Sequence, residues 1–186
     1  METKENQNNS SDYNKKDAKM LTGMFTDRES TEHAYNTLHE RGYKRDDINL
    51  IMSDDTRKKY FSGDVKDTEI GTKAAEGAGK GSAIGGTVGA IVGVIAAIGT
   101  SLVIPGLGIL VAGPIAAGLA GAGAGAITGG VIGALVGAGI PEERARLYES
   151  GIKNGNIVLG VHPRNEEDAQ HFQKTWSANN GEQIHY

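Results

Sequence analysis

Five histidines, His33, His39, His162, His171 and His185, are the side chains best suited to hold a metal or move a proton near neutral pH. None stands in an HExxH or other ligand spacing. His162 and His185 fall at or near the ends of expected strands and can approach His171, and a surface cluster without a metal is the simpler reading. The acidic pairs Asp46–Asp47 and Asp54–Asp55 sit in expected turns, where solvated carboxylates explain them better than a general acid–base pair. Ser53 and Ser150 lack the neighbours that activate a nucleophile. The run Gly77-Ala78-Gly79-Lys80-Gly81-Ser82 imitates a phosphate loop, but a glycine separates Lys80 from Ser82 and no strand leads into it. Tyr148, Phe172 and Trp176 recur at helical spacings and read as core. Without cysteine there is no disulfide and no thiolate site. The expectation is therefore a chain with no catalytic, cofactor-binding or metal-ligating residue, no cofactor, and no enzymatic activity.

Spacing is informative elsewhere. Net charge is −4 with acids and bases intermixed, which argues against the basic stripe that nucleic acid requires. The charge is sharply partitioned, with no Asp, Glu, Lys, Arg or His from Gly81 to Pro141. Within and beside that stretch run two ladders at a period of four: Gly77, Gly81, Gly85, Gly89, Gly93 and Ala97, then Gly113, Ala117, Gly121, Gly125, Gly129, Gly133 and Gly137. On a helix, residues four apart share a line, and a line of glycines is a groove into which another helix backbone can move. Interior glycines each cost about 0.8–1 kcal/mol of helix propensity in water, whereas lipid enforces the helix. That contrast favours a membrane-embedded hairpin, one pass from Gly81 to Ile104, a turn at Pro105-Gly106, and a second pass from about Val111 to Gly137 with Pro114 in its first turn. Lys73, Lys80, Arg144 and Arg146 flank it and place the remainder of the chain in the cytoplasm. The alternatives are a soluble, cytoplasmic oligomeric module that binds a ligand or protein and uses the hairpin as a packing device, and a membrane pore or permeability modifier.

These ladders are carried by a charged flanking sequence. Residues 1–19 lack a signal-peptide h-region and read as a disordered tail. Residues 20–72 hold a strand (Met20 to Phe25), a helix opened by a Thr26/Glu29 capping box and ended by Gly42, and a second strand (Ile48 to Met52). Residues 141–186 hold a helix opened by Pro141-Glu142-Glu143 with Ala145, Tyr148 and Ile152 on one face, a strand (Asn156 to Val161), a helix capped by Asn165 with Ala169, Phe172 and Trp176 on one face, and a last short strand. The flanks read as a loose duplication offset by about 136 residues (Arg28 on Arg164, Ile48 on Ile184). The expected fold is α+β: a ferredoxin-like βαββαβ domain, helices on one face of its sheet, split by a glycine-zipper helical hairpin at residues 73–140.

Three blocks, DREST-EHAYNTLHERGYKRDDINLI, IPGLGILVAGPIAAGLAGAGAGAITGGVIGALVGAGIPEE and YESGIKNGNIVLGV, resemble the YflT-like, heat-induced bacterial general stress proteins in a glycine-zipper-containing variant. The resemblance covers about Met20 to Val161. It implies a stress context, frequent description as membrane proteins and no established catalytic activity, and it supplies no functional residues. The combined expectation is a stress-associated membrane protein that self-associates through helix-packing Gly77, Gly81, Gly85, Gly89, Gly93, Gly113, Gly121, Gly125, Gly129, Gly133 and Gly137. Its partners would be the lipid bilayer, further copies of itself and an unidentified protein.

Overall fold

Helix α1 (Arg28–Glu40) begins where Asp27, in extended conformation, accepts the Ser30 backbone N–H at 2.8 Å. The cap is thus Asp27 and not the expected Thr26, because a carboxylate one residue on satisfies the open N–H groups better than a threonine hydroxyl. Ala34 and Leu38 are fully buried along one face, and Gly42, at φ +77°, turns the chain out of the helix. The second flank repeats the device. Asn165 accepts the Asp168 N–H at 2.8 Å and starts the helix Glu166–Ala178, whose Ala169, Phe172 and Trp176 are fully buried.

The computed structural model describes residues 19–61, 102–104, 108–122 and 130–186. In chain order these form β1 (Leu21–Phe25), α1, a 3-10 turn (Arg45–Asp47), β2 (Ile48–Ser53), α2 (Asp54–Phe61), β3 (Leu102–Ile104), β4 (Ile109–Ala112), α3 (Pro114–Ala122), α4 (Gly130–Gly137), α5 (Glu142–Lys153), β5 (Ile157–Val161), α6 (Glu166–Ala178) and β6 (Glu182–His185). The fold is α+β, with one six-stranded sheet in the order β3-β4-β2-β5-β1-β6. Every adjacent pair is antiparallel. Strands β1 and β5 begin 136 residues apart, the offset expected of the duplication. Their residues pair directly, Leu21 opposite Val161 and Phe25 opposite Ile157.

Helices cover both faces of the sheet, not one. On the first, Leu21, Phe25, Leu50, Leu159 and Val161 pack with Leu38 of α1, Phe61 of α2 and Phe172 and Trp176 of α6. On the second, Met24, Ile51, Val111 and Val158 pack with Ile115 and Leu119 of α3, Val131 and Leu135 of α4, and Tyr148 and Ile152 of α5. The central strands are consequently buried along their length, Ser53 at the end of β2 excepted, as strands covered on both sides must be.

This second face corrects the membrane reading. Among the described residues no helix is long and apolar enough to cross a membrane. Of the expected second pass, Ile109–Ala112 is a strand paired to β2, α3 has nine residues and α4 eight, and residues 123–129 lie outside the described residues. At 1.5 Å per residue those helices span about 12–14 Å, less than half of a roughly 30 Å hydrocarbon core. Leu102–Ile104, the expected end of the first pass, is a strand paired to β4. The rest of that pass lies outside the described residues. The apolar residues of α3, α4 and β4 serve the domain itself, completing with Tyr148 and Ile152 of α5 the layer that covers Met24, Ile51 and Val158. A membrane-anchored hairpin, and a pore built from it, are not supported.

Candidate functional site

Two backbone features set α3 against the sheet. Gly113 joins β4 to α3 at φ +91°, and a Cβ there would lie 2.2 Å from the Ile48 carbonyl oxygen, so only glycine lets the chain pass over β2 so closely. Asn49, fully buried on β2, accepts the Ile115 N–H at 2.8 Å and caps α3 from a distant strand. Its amide donates to the Gly160 carbonyl at 3.4 Å, tying the same residue to β5. Pro114 opens α3, the position expected of it.

Between α3 and α4 lies a groove of about 320 Å³, with Gly118 and Leu119 on one wall, Gly133 and Gly137 on the other, and Met20 and His162 at the sheet. Cβ atoms built on Gly118, Gly133 and Gly137 meet nothing within 4 Å among the described residues. No charged side chain occurs between Gly108 and Ile140, so both helices are neutral over their whole described surface. His162 belongs to this groove whereas His171 rides on α6 across the sheet, so the expected approach of the two does not occur. No group of His, Cys, Asp or Glu among the described residues is arranged to hold a metal.

The ladder glycines therefore divide. Gly133 and Gly137 line the groove and Gly121 lies on α3, but Gly113 is not helical. Gly77, Gly81, Gly85, Gly89, Gly93, Gly125 and Gly129 lie outside the described residues. Gly118 is off the period-four ladder and was not anticipated, nor were Met20 and His162, which arrive from elsewhere in the chain. The Gly113-Pro114 pair is itself a turn signal that separates the ladder into a strand end and a helix start.

A second cleft of about 590 Å³ opens where β1 and β2 end, lined by Ser53, Thr56, Lys59, Lys153 and Asn154 among others. Its hydroxyls already serve the fold. Ser53 Oγ accepts the Thr56 N–H at 3.0 Å and lies 2.8 Å from Thr56 Oγ1, which donates to the Gly155 carbonyl at 3.1 Å. Lys153 pairs with Glu149 at 3.3 Å. Asp54 and Asp55 open helix α2 rather than sitting in a turn, and Lys58 with Arg57 holds the Asp54 carboxyl below its usual pKa.

A buried carboxylate, Asp168, 5 % exposed, accepts from Tyr43 Oη at 2.6 Å and Arg41 at 2.9 Å and faces Arg164 Nε at 3.5 Å. The Arg164 guanidinium lies 4.0 Å over the Tyr43 ring, and Tyr43 Oη accepts the Arg164 N–H at 2.8 Å. Burial first, then the bond to Asp168, raises the Tyr43 pKa. These four residues join the two flanks, and the buried carboxylate of Asp168 is engaged by all three of the others. Every buried side-chain polar atom among the described residues has a hydrogen-bond partner.

No family model, curated protein or solved structure matches the chain.

Proposed function

We propose that the chain is a non-catalytic interaction module, acting in the cytoplasm in the stress context that its resemblance implies, and that the α3–α4 groove docks an uncharged aliphatic helix. Its scaffold on this reading is a ferredoxin-like βαββαβ core made of β1-α1-β2 and β5-α6-β6. The order β6-β1-β5-β2 supports it, being the 4-1-3-2 arrangement of such a core with β4 and β3 added at one edge.

The carrying observation is the open space over Gly118, Gly133 and Gly137. A glycine inside a helix forgoes about 0.8–1 kcal/mol relative to alanine, and nothing among the described residues uses the room gained. A docked helix with Ile, Val or Leu at four-residue spacing would use it, its side chains seated where the glycines leave holes.

The test is fluorescence anisotropy of a labelled, lysine-capped Leu/Ala helical peptide titrated with the full-length protein and with its Gly133→Leu/Gly137→Leu variant. The expected result is saturable binding that weakens at least tenfold in a variant that is still folded. Equal affinity for both proteins, or no binding to the wild type, would sink the reading.

A further inference from the structure

Resting on that reading, the geometry points to one occupant: α4 of a second copy of this chain, brought in by a two-fold axis. A two-fold interface must be self-complementary, so the projecting group and its receptacle have to lie on the same patch. The α4 surface carries both. Val136, 43 % exposed, projects beside the open positions of Gly133 and Gly137, three residues after one and immediately before the other. Val136 and Leu147, 47 % exposed, are the large hydrophobic side chains left exposed among the described residues. Leu147 sits on α5, the helix packed against α4, and Val136 is the one of the two on the uncharged α3–α4 layer. Elsewhere the chain is mixed in charge with a net −4, and two copies repel one another except across a neutral face. The α3–α4 layer is that face. Apposing it with its copy seats each Val136 in the gap at Gly133 and Gly137 of the other, and no charge is desolvated.

The size of the patch fixes the kind of association. Two helices about 12–14 Å long and about 10 Å wide offer a footprint well below the roughly 800 Å² per partner of a permanent interface. The dimer is therefore reversible and concentration-dependent.

Sedimentation equilibrium of the full-length protein from micromolar to millimolar concentration tests this. The mass should rise from 19.5 kDa toward twice that value. Val136→Lys, which adds a charge to the projecting residue, and Gly133→Leu, which fills the receptacle, should each shift the midpoint at least tenfold, with wild-type circular dichroism confirming that both fold. A mass that stays at 19.5 kDa throughout, or a dimer insensitive to both variants, overturns the second-copy proposal. If the protein stays monomeric but the Leu/Ala peptide still binds wild type and not Gly133→Leu/Gly137→Leu, self-docking fails while the docking reading stands. A peptide affinity that the double variant leaves unchanged removes the docking reading as well.

Discussion

Replacing Gly118 and Gly133 together by alanine should stabilise the protein, and replacing Gly113 by alanine should destabilise it, although Gly113 and Gly133 belong to one sequence ladder. Gly118 and Gly133 are inside α3 and α4, and their added Cβ atoms meet nothing within 4 Å among the described residues. The helix-propensity gain is then unopposed, about 0.8–1 kcal/mol at each position, or about 1.6–2 together. For a chain of this size 1 kcal/mol moves Tm by about 2–4 °C, so the double variant should melt about 3–8 °C higher. Gly113 is at φ +91°, and its Cβ would stand 2.2 Å from the Ile48 carbonyl oxygen, a backbone atom held in the β2–β5 ladder. Backbone strain of about 1–3 kcal/mol and a similar overpacking term give about 3 kcal/mol net, lowering Tm by about 6–12 °C. Thermal and urea unfolding of the full-length variants, followed by far-UV circular dichroism, reads both signs directly. A loss of stability in Gly118→Ala/Gly133→Ala would mean that the space above these glycines is filled in the folded chain, and the open groove would fall with it.

Three further outcomes follow from the hydrogen-bond network. Tyr43→Phe removes the 2.6 Å donor to buried Asp168 and the acceptor of the Arg164 N–H, and should lower the unfolding free energy by about 1–3 kcal/mol in urea titrations; a neutral result would mean Arg41 and Arg164 satisfy Asp168 unaided. Asn49→Ala leaves the buried Ile115 N–H without its acceptor, so about 2 kcal/mol should be lost, with hydrogen exchange accelerated first at α3 and not at α6. The bond from the Ser30 N–H holds the Asp27 carboxyl below its usual pKa, a depression burial partly opposes. A depressed carboxylate contributes stability that is present above its unfolded value near 4 and is lost as pH falls through the folded value. Wild type should therefore lead Asp27→Asn at neutral pH and lose that lead on acidification toward pH ~2, and a difference constant across that range would show that the charge on Asp27 contributes nothing.

The flanks were legible because each signal was local. Asn165 and Gly42 act at the helix ends where their residue types predict, and Ala145, Tyr148, Ile152, Ala169, Phe172 and Trp176 all point inward at the spacing a helix requires. The insert was misread because a period of four glycines describes a line on a helix only if the residues are helical. Between Leu102 and Ala112 two short β-branched runs flank Pro105-Gly106, a hairpin signal, and the runs pair as β3 and β4. Their strand state depends on β2 offering Leu50 to Ser53 as an edge, which no local pattern reports. The groove was less legible still. Gly118 is off the ladder, and Met20 and His162 reach α4 only through the pairing of β1 with β5.

That pairing also dictates an order of events at the ribosome. Strand β5 bonds to both β1 and β2, and it lies between them in the sheet. The two strands of the first flank thus have no strand in common to pair with until Ile157 to Val161 has been made. The uncharged stretch ending at Pro141 is translated first. At 5–20 residues per second, β5 follows about one to four seconds later. For that interval the most apolar part of the chain has its own sheet only half assembled, and β2, the partner of its strand β4, still lacks the strand that joins it to β1.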